Sequence, residues 1–314
     1  MSDPLPVETQ GLTKTYGDIV AVENVALAVE PGDVYGYLGP NGAGKTTSLR
    51  ILLGLIRPTA GWARLFGRDP ITEGVKALDG VAGFVEGPRF YPYLSGRRNL
   101  ELLADFDEPV SRARIDEVLE LVELRDRAKD KVGGYSHGMR QRLGIAGALL
   151  RQPRLLLLDE PTTGLDPAGM RDMRHLVRRL ASEGITIMLS SHLLYEVEEL
   201  CNRVAIIRKG RIVYQGPLRE LLASTTNRYV LRTAEPERAR MVSLSQPGIA
   251  SVTIDDNEVS FSADEEAVAA LSIALGQARV GVTALVPETQ SLEELFLGLT
   301  GGESSDHDRA AVAS

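Results

Sequence analysis

Residues 39–46 read GPNGAGKT and fit the pattern G-x-x-x-x-G-K-[ST], with a short apolar run before them and a helical stretch after them. The glycines let successive backbone N–H groups turn inward onto an anion without a clash from a Cβ atom. The helix that follows adds the positive end of its dipole. A loop of this kind between a strand and a helix binds phosphate groups, which restricts the chain to an α/β fold built around it.

Two further features extend this prediction to a nucleotide. Lys45 is placed to reach the β- and γ-phosphates, and the Thr46 hydroxyl to bind Mg²⁺. Residues 155–160 read LLLLDE, so Asp159 and Glu160 follow a buried apolar strand, where parallel α/β sheets bind ligands. We expect Asp159 to hold Mg²⁺, directly or through water, and Glu160 to orient the attacking water as general base. The loop and the strand end together predict a nucleotide triphosphatase.

The first part of the chain alternates short apolar runs with helical patterns, which is typical of a parallel α/β sheet. Strands are predicted at residues 34–38, 155–159 and 185–191. Helices are predicted over residues 44–56 and from the N-cap Asp166, which precedes Pro167, towards Glu183.

Two segments are expected to add to this core. Residues 19–30 alternate apolar and polar side chains, and residues 62–66 are expected to join them in an antiparallel layer. Residues 95–151 are predicted to be a mostly helical insert, in which four apolar residues recur at helical spacing. These four are Ile115, Val118, Leu119 and Val122.

After residue 216 the pattern changes to that of a smaller α+β module. The predicted order is strand, helix, strand, strand, helix, strand, which matches a ferredoxin-like module. The elements are residues 228–232, 236–244, 250–254, 258–262, 264–277 and 280–286, with a hairpin turn at residues 255–257. A last short helix is expected over residues 292–299, and the polar tail of residues 301–314 is expected to be disordered.

Composition excludes several classes of protein. The chain has 314 residues, with 35 Lys and Arg against 43 Asp and Glu, so its formal net charge of −8 argues against a dedicated nucleic-acid binder. Its single cysteine, Cys201, excludes an internal disulfide framework. No apolar run approaches the roughly 20 residues that span a bilayer, and the first ten residues lack the pattern of a signal peptide. A globular protein of the cytosol is therefore expected.

Five separated motifs, in this order, resemble those of the ATP-binding cassette of ABC transporters. They are KTYG at residues 14–17, GPNGAGKTT at 39–47, YSHGMRQRL at 135–143, LLLLDEPTTGLDP at 155–167 and SSH at 190–192. The resemblance covers about residues 5–225. It implies a P-loop NTPase fold with a RecA-like core, an antiparallel β-layer and a helical subdomain at about residues 95–151. The second domain is then residues 228–300.

The resemblance also implies roles for individual residues in binding ATP and Mg²⁺. Tyr16 matches the aromatic that stacks on adenine, and His192 matches the switch histidine that contacts the γ-phosphate. Lys45, Glu160 and His192 are the expected catalytic residues. The loop residues expected to bind the nucleotide are Asn41, Gly42, Ala43, Gly44, Lys45, Thr46 and Thr47.

A head-to-tail pair of cassettes is implied by the same resemblance. Ser136, His137 and Gly138 match the signature loop, which contacts the γ-phosphate held by the opposite subunit, and Asp166 matches the D-loop aspartate. Each nucleotide would lie between Lys45 of one subunit and the signature loop of the other. The second cassette is either a copy of this chain or a related subunit.

The sequence departs from the common cassette pattern at two places. Glu86 stands where most cassettes have the Q-loop glutamine, and an ionised glutamate only accepts hydrogen bonds. Glu86 is nevertheless expected to lie near the nucleotide and Mg²⁺, so that Thr46, Asp159 and Glu86 form the expected metal set. In the signature, His137 replaces a glycine and Met139 a glutamine. Neither change is expected to abolish hydrolysis.

These departures resemble the bacitracin- and daunorubicin-type drug-export cassettes, whose permease is a separate chain. The resemblance implies an ATPase subunit on the cytoplasmic face of the cell membrane that drives export of a drug, antibiotic or lipid-like molecule. The aromatic residues Phe90, Tyr91 and Tyr93 would then lie where the permease docks. The C-terminal module is expected to stabilise the dimer or to regulate it.

Two other interpretations remain. A non-transport cassette ATPase would act on ribosomes or DNA, but such proteins usually carry two cassettes or a long coiled-coil insertion, and neither is evident here. An importer ATPase is the third interpretation, and Glu86 and the C-terminal module make it the weaker choice.

Overall fold

The computed structural model describes residues 4–105, 111–223 and 228–287, together with residues 292, 295 and 296. The chain divides into two units, Met1–Leu218 and Arg219–Ser314. The strands are β1 (Val7–Tyr16), β2 (Ile19–Val29), β3 (Val34–Leu38), β4 (Ala60–Arg64), β5 (Val81–Phe84), β6 (Leu155–Asp159), β7 (Thr186–Ser191), β8 (Arg203–Arg208), β9 (Arg211–Pro217), β10 (Arg228–Thr233), β11 (Ala250–Asp255), β12 (Glu258–Ser262) and β13 (Val282–Pro287). The α-helices are α1 (Lys45–Leu52), α2 (Gly96–Ala104), α3 (Arg112–Leu121), α4 (His137–Leu149), α5 (Pro167–Ser182), α6 (Leu194–Leu200), α7 (Leu218–Ala223), α8 (Pro236–Leu244) and α9 (Glu265–Gln277).

A six-stranded sheet forms the centre of the first unit, in the order β5-β6-β7-β3-β8-β9. Its pairs are parallel except β8–β9, which is antiparallel. Every residue of β6 and β7 is buried, which explains why both read as continuous apolar runs. The carboxyl ends of β3, β5, β6 and β7 therefore meet at one edge of the sheet, with β7 between β6 and β3.

The antiparallel layer expected from the alternating segment is confirmed. Its three strands have the order β2-β1-β4, and β1 pairs antiparallel with both neighbours. The strand predicted at residues 62–66 is present as β4, but it begins and ends two residues earlier, because the chain turns at Phe66, which has a φ of 48°. Trp62 of β4 lies opposite Gln10. Buried side chains of this layer, such as Leu12 and Val25, share one apolar core with Tyr37 of β3 and Leu49 of α1.

The helical insert is also confirmed, as helices α2, α3 and α4. Each begins at a serine whose hydroxyl accepts a hydrogen bond from a backbone N–H of the first turn, as an N-cap does; these serines are Ser95, Ser111 and Ser136. The four apolar residues noted at helical spacing are all buried, which explains the pattern. The insert follows the strand β5 and returns to the sheet at β6.

Helix α1 ends earlier than its apolar pattern predicts, at Leu52 rather than near residue 56. Gly54 has a φ of 69°, and its N–H donates to the carbonyl of Ile51 while the N–H of Leu55 donates to that of Arg50. This pair of bonds is a Schellman motif, which satisfies the last helical carbonyls and turns the chain away. The glycine, and not the apolar spacing, sets the end of the helix.

In the second unit, four strands form an antiparallel sheet with the order β11-β12-β10-β13. The predicted order of strands and helices is confirmed over the described residues, and α8 occupies residues 236–244 as predicted. Leu231, Val259 and Phe261 of the sheet share a core with Leu271 and Leu275 of α9. Most of the helix predicted over residues 292–299, and the tail of residues 301–314, lie outside the described residues.

Across the described ranges, no helix combines the length and the apolar character that a membrane crossing needs.

We expect Phe261→Ala to weaken the C-terminal sheet. Phe261 is fully buried and stacks on Tyr229 at a ring-centroid distance of 5.9 Å, so its truncation leaves a cavity. Such changes cost about 3–5 kcal/mol, which lowers amide hydrogen-exchange protection in β10 and β12 by roughly a hundredfold or more. The control is Val286→Ala in β13, a half-exposed position, which should change protection by less than tenfold. Equal effects of the two variants would contradict the assigned core.

Candidate nucleotide-binding and catalytic site

The loop between β3 and α1 has glycines where the backbone leaves no room for a side chain. A Cβ atom on Gly39 would lie 2.4 Å from the carbonyl oxygen of Ile207, and one on Gly44 would lie 2.3 Å from that of Ala21. Gly44 also has a φ of 109° and Gly42 one of 77°, a region that favours glycine. The loop is therefore shaped by its backbone, as a cradle for phosphate requires.

Lys45 is buried at the first position of α1, and its ammonium group has three oxygen partners. Its Nζ atom donates to the carbonyl oxygens of Gly39 at 2.7 Å and Pro40 at 3.3 Å. The same atom lies 3.2 Å from Oε1 of Glu160, at the end of β6. An ammonium group is thus held at the mouth of the loop by contacts that an anionic phosphate can replace.

Thr46 and Asp159 bring together the oxygen atoms expected to bind Mg²⁺. The Thr46 hydroxyl donates to the carboxylate of Asp159 at 3.0 Å, and the Ser190 hydroxyl donates to the same carboxylate at 2.6 Å. Hard oxygen ligands suit Mg²⁺, which keeps waters and phosphate oxygens for its other positions. Within the described residues no group of three or more His, Cys, Asp or Glu side chains is arranged for a metal ion. These oxygen donors fit a magnesium site that Thr46 and Asp159 form and that oxygen atoms of the nucleotide complete.

Glu160 lies at the centre of the site, between a lysine and a histidine. Its Oε2 atom accepts hydrogen bonds from Nδ1 of His192 at 3.0 Å and from the Thr163 hydroxyl at 2.9 Å. Because a carboxylate only accepts, Nδ1 of His192 carries the proton. The backbone of Glu160 has a φ of 45°, and its N–H donates to the Ser190 hydroxyl at 3.0 Å. A strained conformation held by such contacts is typical of functional sites.

These contacts shift the protonation of both side chains. The hydrogen bond from His192 lowers the pKa of Glu160 to about 2, with the Thr163 hydroxyl and Lys45 acting in the same direction and burial opposing them. The same hydrogen bond raises the pKa of His192 above its usual value, again against the effect of burial. Glu160 is therefore ionised at neutral pH, as a base that accepts a proton from water must be.

The structure gives the Glu86 side chain a partner that the sequence did not suggest. Its carboxylate pairs with the guanidinium group of Arg50, on α1 one turn beyond Thr46. The backbone N–H of Glu86 faces Asp159 at 3.4 Å, and Glu86 has a φ of 63°. The role in binding Mg²⁺ that was expected of Glu86 stays a prediction. To contact the ion, the Glu86 carboxylate would first have to break its ion pair with Arg50.

The signature loop is joined to the segment that follows Glu160. Ser136 is the N-cap of α4, as its sequence position suggested, and its hydroxyl accepts from the N–H of Met139 at 3.2 Å. Nε2 of His137 lies 3.1 Å from the carbonyl oxygen of Thr163. Asp166 caps α5 by accepting from the N–H of Gly169 at 3.0 Å, which confirms the predicted helix start.

The remaining site residues lie around the same loop or at the edge of the antiparallel layer. Tyr16 ends β1 with its ring 45% exposed and the ammonium group of Lys14 5.0 Å from the ring centroid. An exposed ring in this position suits stacking on a base, and its adenine contact stays a prediction. Asn41, Gly42, Ala43 and Thr47 belong to the loop and the first turn of α1, while Gly138 lies in the first turn of α4.

Sequence analysis did not single out several residues that complete the site. Ser190 is hydrogen-bonded to both Asp159 and Glu160, and its position before His192 in the SSH motif was the available signal. Thr163 lies within the motif at residues 155–167, where nothing indicated its bond to Glu160. Arg50 and the buried Glu196 carried no signal, because each has a partner more than 30 residues away, Glu86 and Thr162 respectively.

Comparison with known proteins matches the site to one family. The family model described as "ABC transporter" matches residues 22–163. A bacitracin transport ATP-binding protein of Bacillus licheniformis is 39% identical over 307 residues, covering 94% of this chain and 97% of that protein. A daunorubicin resistance ATP-binding protein of Streptomyces coeruleorubidus is 37% identical over 309 residues, covering 95% of this chain and 96% of that protein.

A solved structure extends the similarity to the fold. It is the dimeric, post-hydrolysis state of the ATP-binding cassette MJ0796, bound to ADP and Pi. The likeness has a TM-score of 0.61 at 27% identity and covers 68% of this chain and 98% of that one.

The contact between Glu160 and His192 predicts a pH dependence. His192, with its raised pKa, contributes stability that is full below about pH 6.5 and is lost as the pH rises through its folded-state pKa. Glu160 contributes stability above about pH 4.5 that is lost as the pH falls towards about 2. We expect an NMR titration to give His192 a pKa above 6.5, and Glu160→Gln to lower it.

The matched control for this titration is Glu183→Gln, which removes an exposed carboxylate that pairs with Arg179. It should leave the pKa of His192 unchanged. An unchanged His192 pKa in Glu160→Gln would show that the two side chains do not interact in solution.

Proposed function

This chain belongs to the ABC transporter family and is the ATP-binding subunit and ATPase of such a transporter, and we propose that it drives export of a drug, antibiotic or lipid-like molecule through a separate membrane permease. The contact of Glu160 with both Lys45 and His192 supports the ATPase chemistry. The two reported relatives, named for bacitracin transport and daunorubicin resistance, support the cargo class. Their similarity spans at least 94% of this chain, and therefore includes residues beyond the cassette.

Lys45 and the loop backbone would bind the triphosphate. When the nucleotide enters, the ammonium group of Lys45 exchanges its carbonyl and Glu160 partners for phosphate oxygens. The Thr46 hydroxyl and the Asp159 carboxylate, already 3.0 Å apart, would hold Mg²⁺. The ion would neutralise charge that develops on the phosphate oxygens. Lys45 thus positions the nucleotide, and its departure releases one side of Glu160.

Glu160 would then act on the attacking water. Its ionised carboxylate accepts a hydrogen bond from the water and takes its proton as the water attacks the γ-phosphorus atom. The bond from this phosphorus to the bridging oxygen breaks, and ADP leaves with the electron pair. Nδ1 of His192 stays on Oε2 and keeps the carboxylate oriented. When the ring is protonated at both nitrogens, which its raised pKa favours, Nε2–H is left to donate to the γ-phosphate. Glu160 is thus the general base, and His192 orients it.

We propose that the chain hydrolyses ATP as one of two head-to-tail cassettes. Ser136 and His137 lie at the start of α4, where the helix dipole favours an anion. The γ-phosphate held by the opposite subunit would be that anion. Subunits of this family dimerise, and the matching structure of MJ0796 is itself dimeric. ATP would stabilise the pair, and hydrolysis would weaken it by removing the γ-phosphate contacts.

A cleft beside β5 is the proposed docking site for the permease. It has a volume of about 460 Å³ and lies among the loop after β5 and helices α2 and α4. Phe84, Pro88, Phe90, Leu103 and Gly144 are among its lining residues. Tyr91 and Tyr93 stand next to it with rings 55% and 65% exposed. Arg89 and Arg151 also line the cleft. Exposed aromatic rings beside a cleft of apolar and basic residues suit a protein partner, which would hold the cassette at the cytoplasmic face of the membrane.

The second unit is proposed to be a ferredoxin-like module that supports or regulates the dimer. Its alternation of strands and helices and its single antiparallel sheet support this assignment. The domain boundaries are proposed at residues 5–225 for the cassette and 228–300 for the module.

We expect Glu160→Gln to abolish function while ATP binding remains. Loss of the general base should lower ATP hydrolysis by the complex of cassette and permease by about 10²–10⁴-fold, measured as phosphate release. Glu183→Gln, an exposed position, is the matched control and should hydrolyse ATP at the parent rate. Hydrolysis at the parent rate in Glu160→Gln would contradict the assigned base.

The transport proposal is tested with the same two variants. The tagged chain should co-purify with a polytopic permease, and cells that express both should tolerate more bacitracin or daunorubicin than cells with Glu160→Gln. Co-purification of ribosomes or DNA instead would favour the non-transport interpretation. Hydrolysis with no change in tolerance to either compound would reject bacitracin and daunorubicin as cargo.

A further inference from the structure

We propose that Glu196 is a positioning residue for ATP hydrolysis, because its buried carboxylate joins the two segments that carry Glu160 and His192. This inference rests on the roles of those two residues in the proposed function. Glu196 lies in α6 and is only 2% exposed. Neither the loop at Lys45 nor the signature loop has a hydrogen bond to it among the described contacts.

Two hydroxyl groups converge on one oxygen of this carboxylate. Oε2 of Glu196 accepts a short hydrogen bond from Thr162 and a second from Ser191 at 3.2 Å. Both hydroxyl residues are themselves buried, at 2% and 3% exposure. The Ser191 hydroxyl in turn accepts from the backbone N–H of Leu193 at 2.9 Å, which fixes the turn that carries His192.

These bonds close a ring around the catalytic contact. Thr162 is two residues after Glu160, and Ser191 directly precedes His192. The two segments meet at the site through the 3.0 Å contact from Nδ1 of His192 to Oε2 of Glu160. They also meet at Ser190, whose hydroxyl is hydrogen-bonded to Asp159 and to the N–H of Glu160, where the two strands are paired. Glu196 adds a link beyond these paired strand ends, so Thr162 and the turn that carries His192 cannot move apart without breaking a buried hydrogen bond.

Thr162 and Ser191 both donate to Glu196, so this position needs an oxygen that accepts hydrogen bonds. Burial raises the pKa of Glu196, which shows that the surroundings disfavour its charge. Oε1 has no hydrogen-bond partner among the described residues. Burying a carboxylate in this way costs free energy of folding, and ionisable side chains buried at such a cost are common at functional sites. An apolar side chain here would leave the hydroxyls of Thr162 and Ser191 without this acceptor, and Thr162 would lose its link to the turn that carries His192.

The first test separates the catalytic rate from nucleotide binding. We expect Glu196→Ala to lower kcat roughly ten- to a hundredfold, the scale of a misplaced catalytic geometry. The Kd for ATP should stay within about twofold, because Lys45 and its loop are untouched. Glu196→Gln keeps an oxygen acceptor and should retain most of kcat. The matched control is Glu199→Gln on the same helix, an exposed residue that pairs with Arg178.

The second test reads the catalytic contact in the free protein, without nucleotide. In the ¹H–¹⁵N NMR spectrum, the Nδ1 proton of His192 should be visible in the parent and in Glu196→Gln. It should be lost to exchange with water in Glu196→Ala, as in Glu160→Gln. If Glu196→Ala does not fold, Thr162→Val removes one of the two links and should lower kcat in the same direction.

Two results would overturn the proposal. One is an unchanged kcat and an unchanged His192 proton in Glu196→Ala. The other is an equal loss of kcat in Glu196→Gln and Glu196→Ala, which would show that charge, and not the hydroxyl contacts, is what matters. If the parent chain itself hydrolysed no ATP, the proposed function would fail while the NMR comparison still tested the ring of contacts.

Discussion

The carboxylate of Glu160 lies between two cationic or proton-donating groups, and the rest of the site is arranged around it. Lys45 approaches one oxygen from the phosphate loop, and His192 donates to the other from the end of β7. The contact is possible because β7 separates β6 from β3 in the sheet, which puts the end of each strand beside the next. The hydrogen bond from His192 is the main cause of the lowered pKa of Glu160, and Lys45, which is expected to bind the nucleotide, acts in the same direction.

In the proposed function, this arrangement would link nucleotide binding to activation of the base. While Lys45 is bound to Glu160, the carboxylate has fewer free positions for a water molecule. A triphosphate that draws Lys45 away leaves His192 and the Thr163 hydroxyl as the partners of Glu160. Oε1 of Glu160 would then be free to bind water, while Oε2 would still be held by His192 and Thr163. Binding and readiness for hydrolysis follow from one exchange of partners.

Most of the site was predictable because each motif is short and continuous in sequence. Lys45, Thr46, Asp159, Glu160 and His192 were each assigned from a motif next to a strand, and the structure places them at one edge of the sheet. The contacts between motifs were not predictable, because they depend on the order of strands in the sheet. Arg50 and Glu196 were missed for this reason, since their partners are more than five residues away or on other elements.

Most helices and strands of the fold were also predictable, but some of their ends and pairings were not. Buried strands and the helical insert followed from apolar runs and helical spacing, whereas the end of α1 was set by the φ of 69° at Gly54. The C-terminal order of strands and helices followed from alternation and turn signals. The pairing of β11 with β12 followed from their hairpin turn. The pairing of β10 with β12 and β13 did not follow from local signals, because it joins strands that are distant in sequence.

The most direct measurement of the exchange between Glu160 and phosphate is a double-mutant cycle on ATP affinity. The parent, Glu160→Gln, Lys45→Ala and the double variant are compared by equilibrium binding in the absence of Mg²⁺, where hydrolysis does not interfere. The account predicts that Glu160→Gln binds ATP several-fold more tightly than the parent, because Lys45 then gives up no charged partner when it binds phosphate. It also predicts that Glu160→Gln leaves the ATP affinity of Lys45→Ala unchanged. Equal affinities of the parent and Glu160→Gln, or the same gain without Lys45, would contradict it.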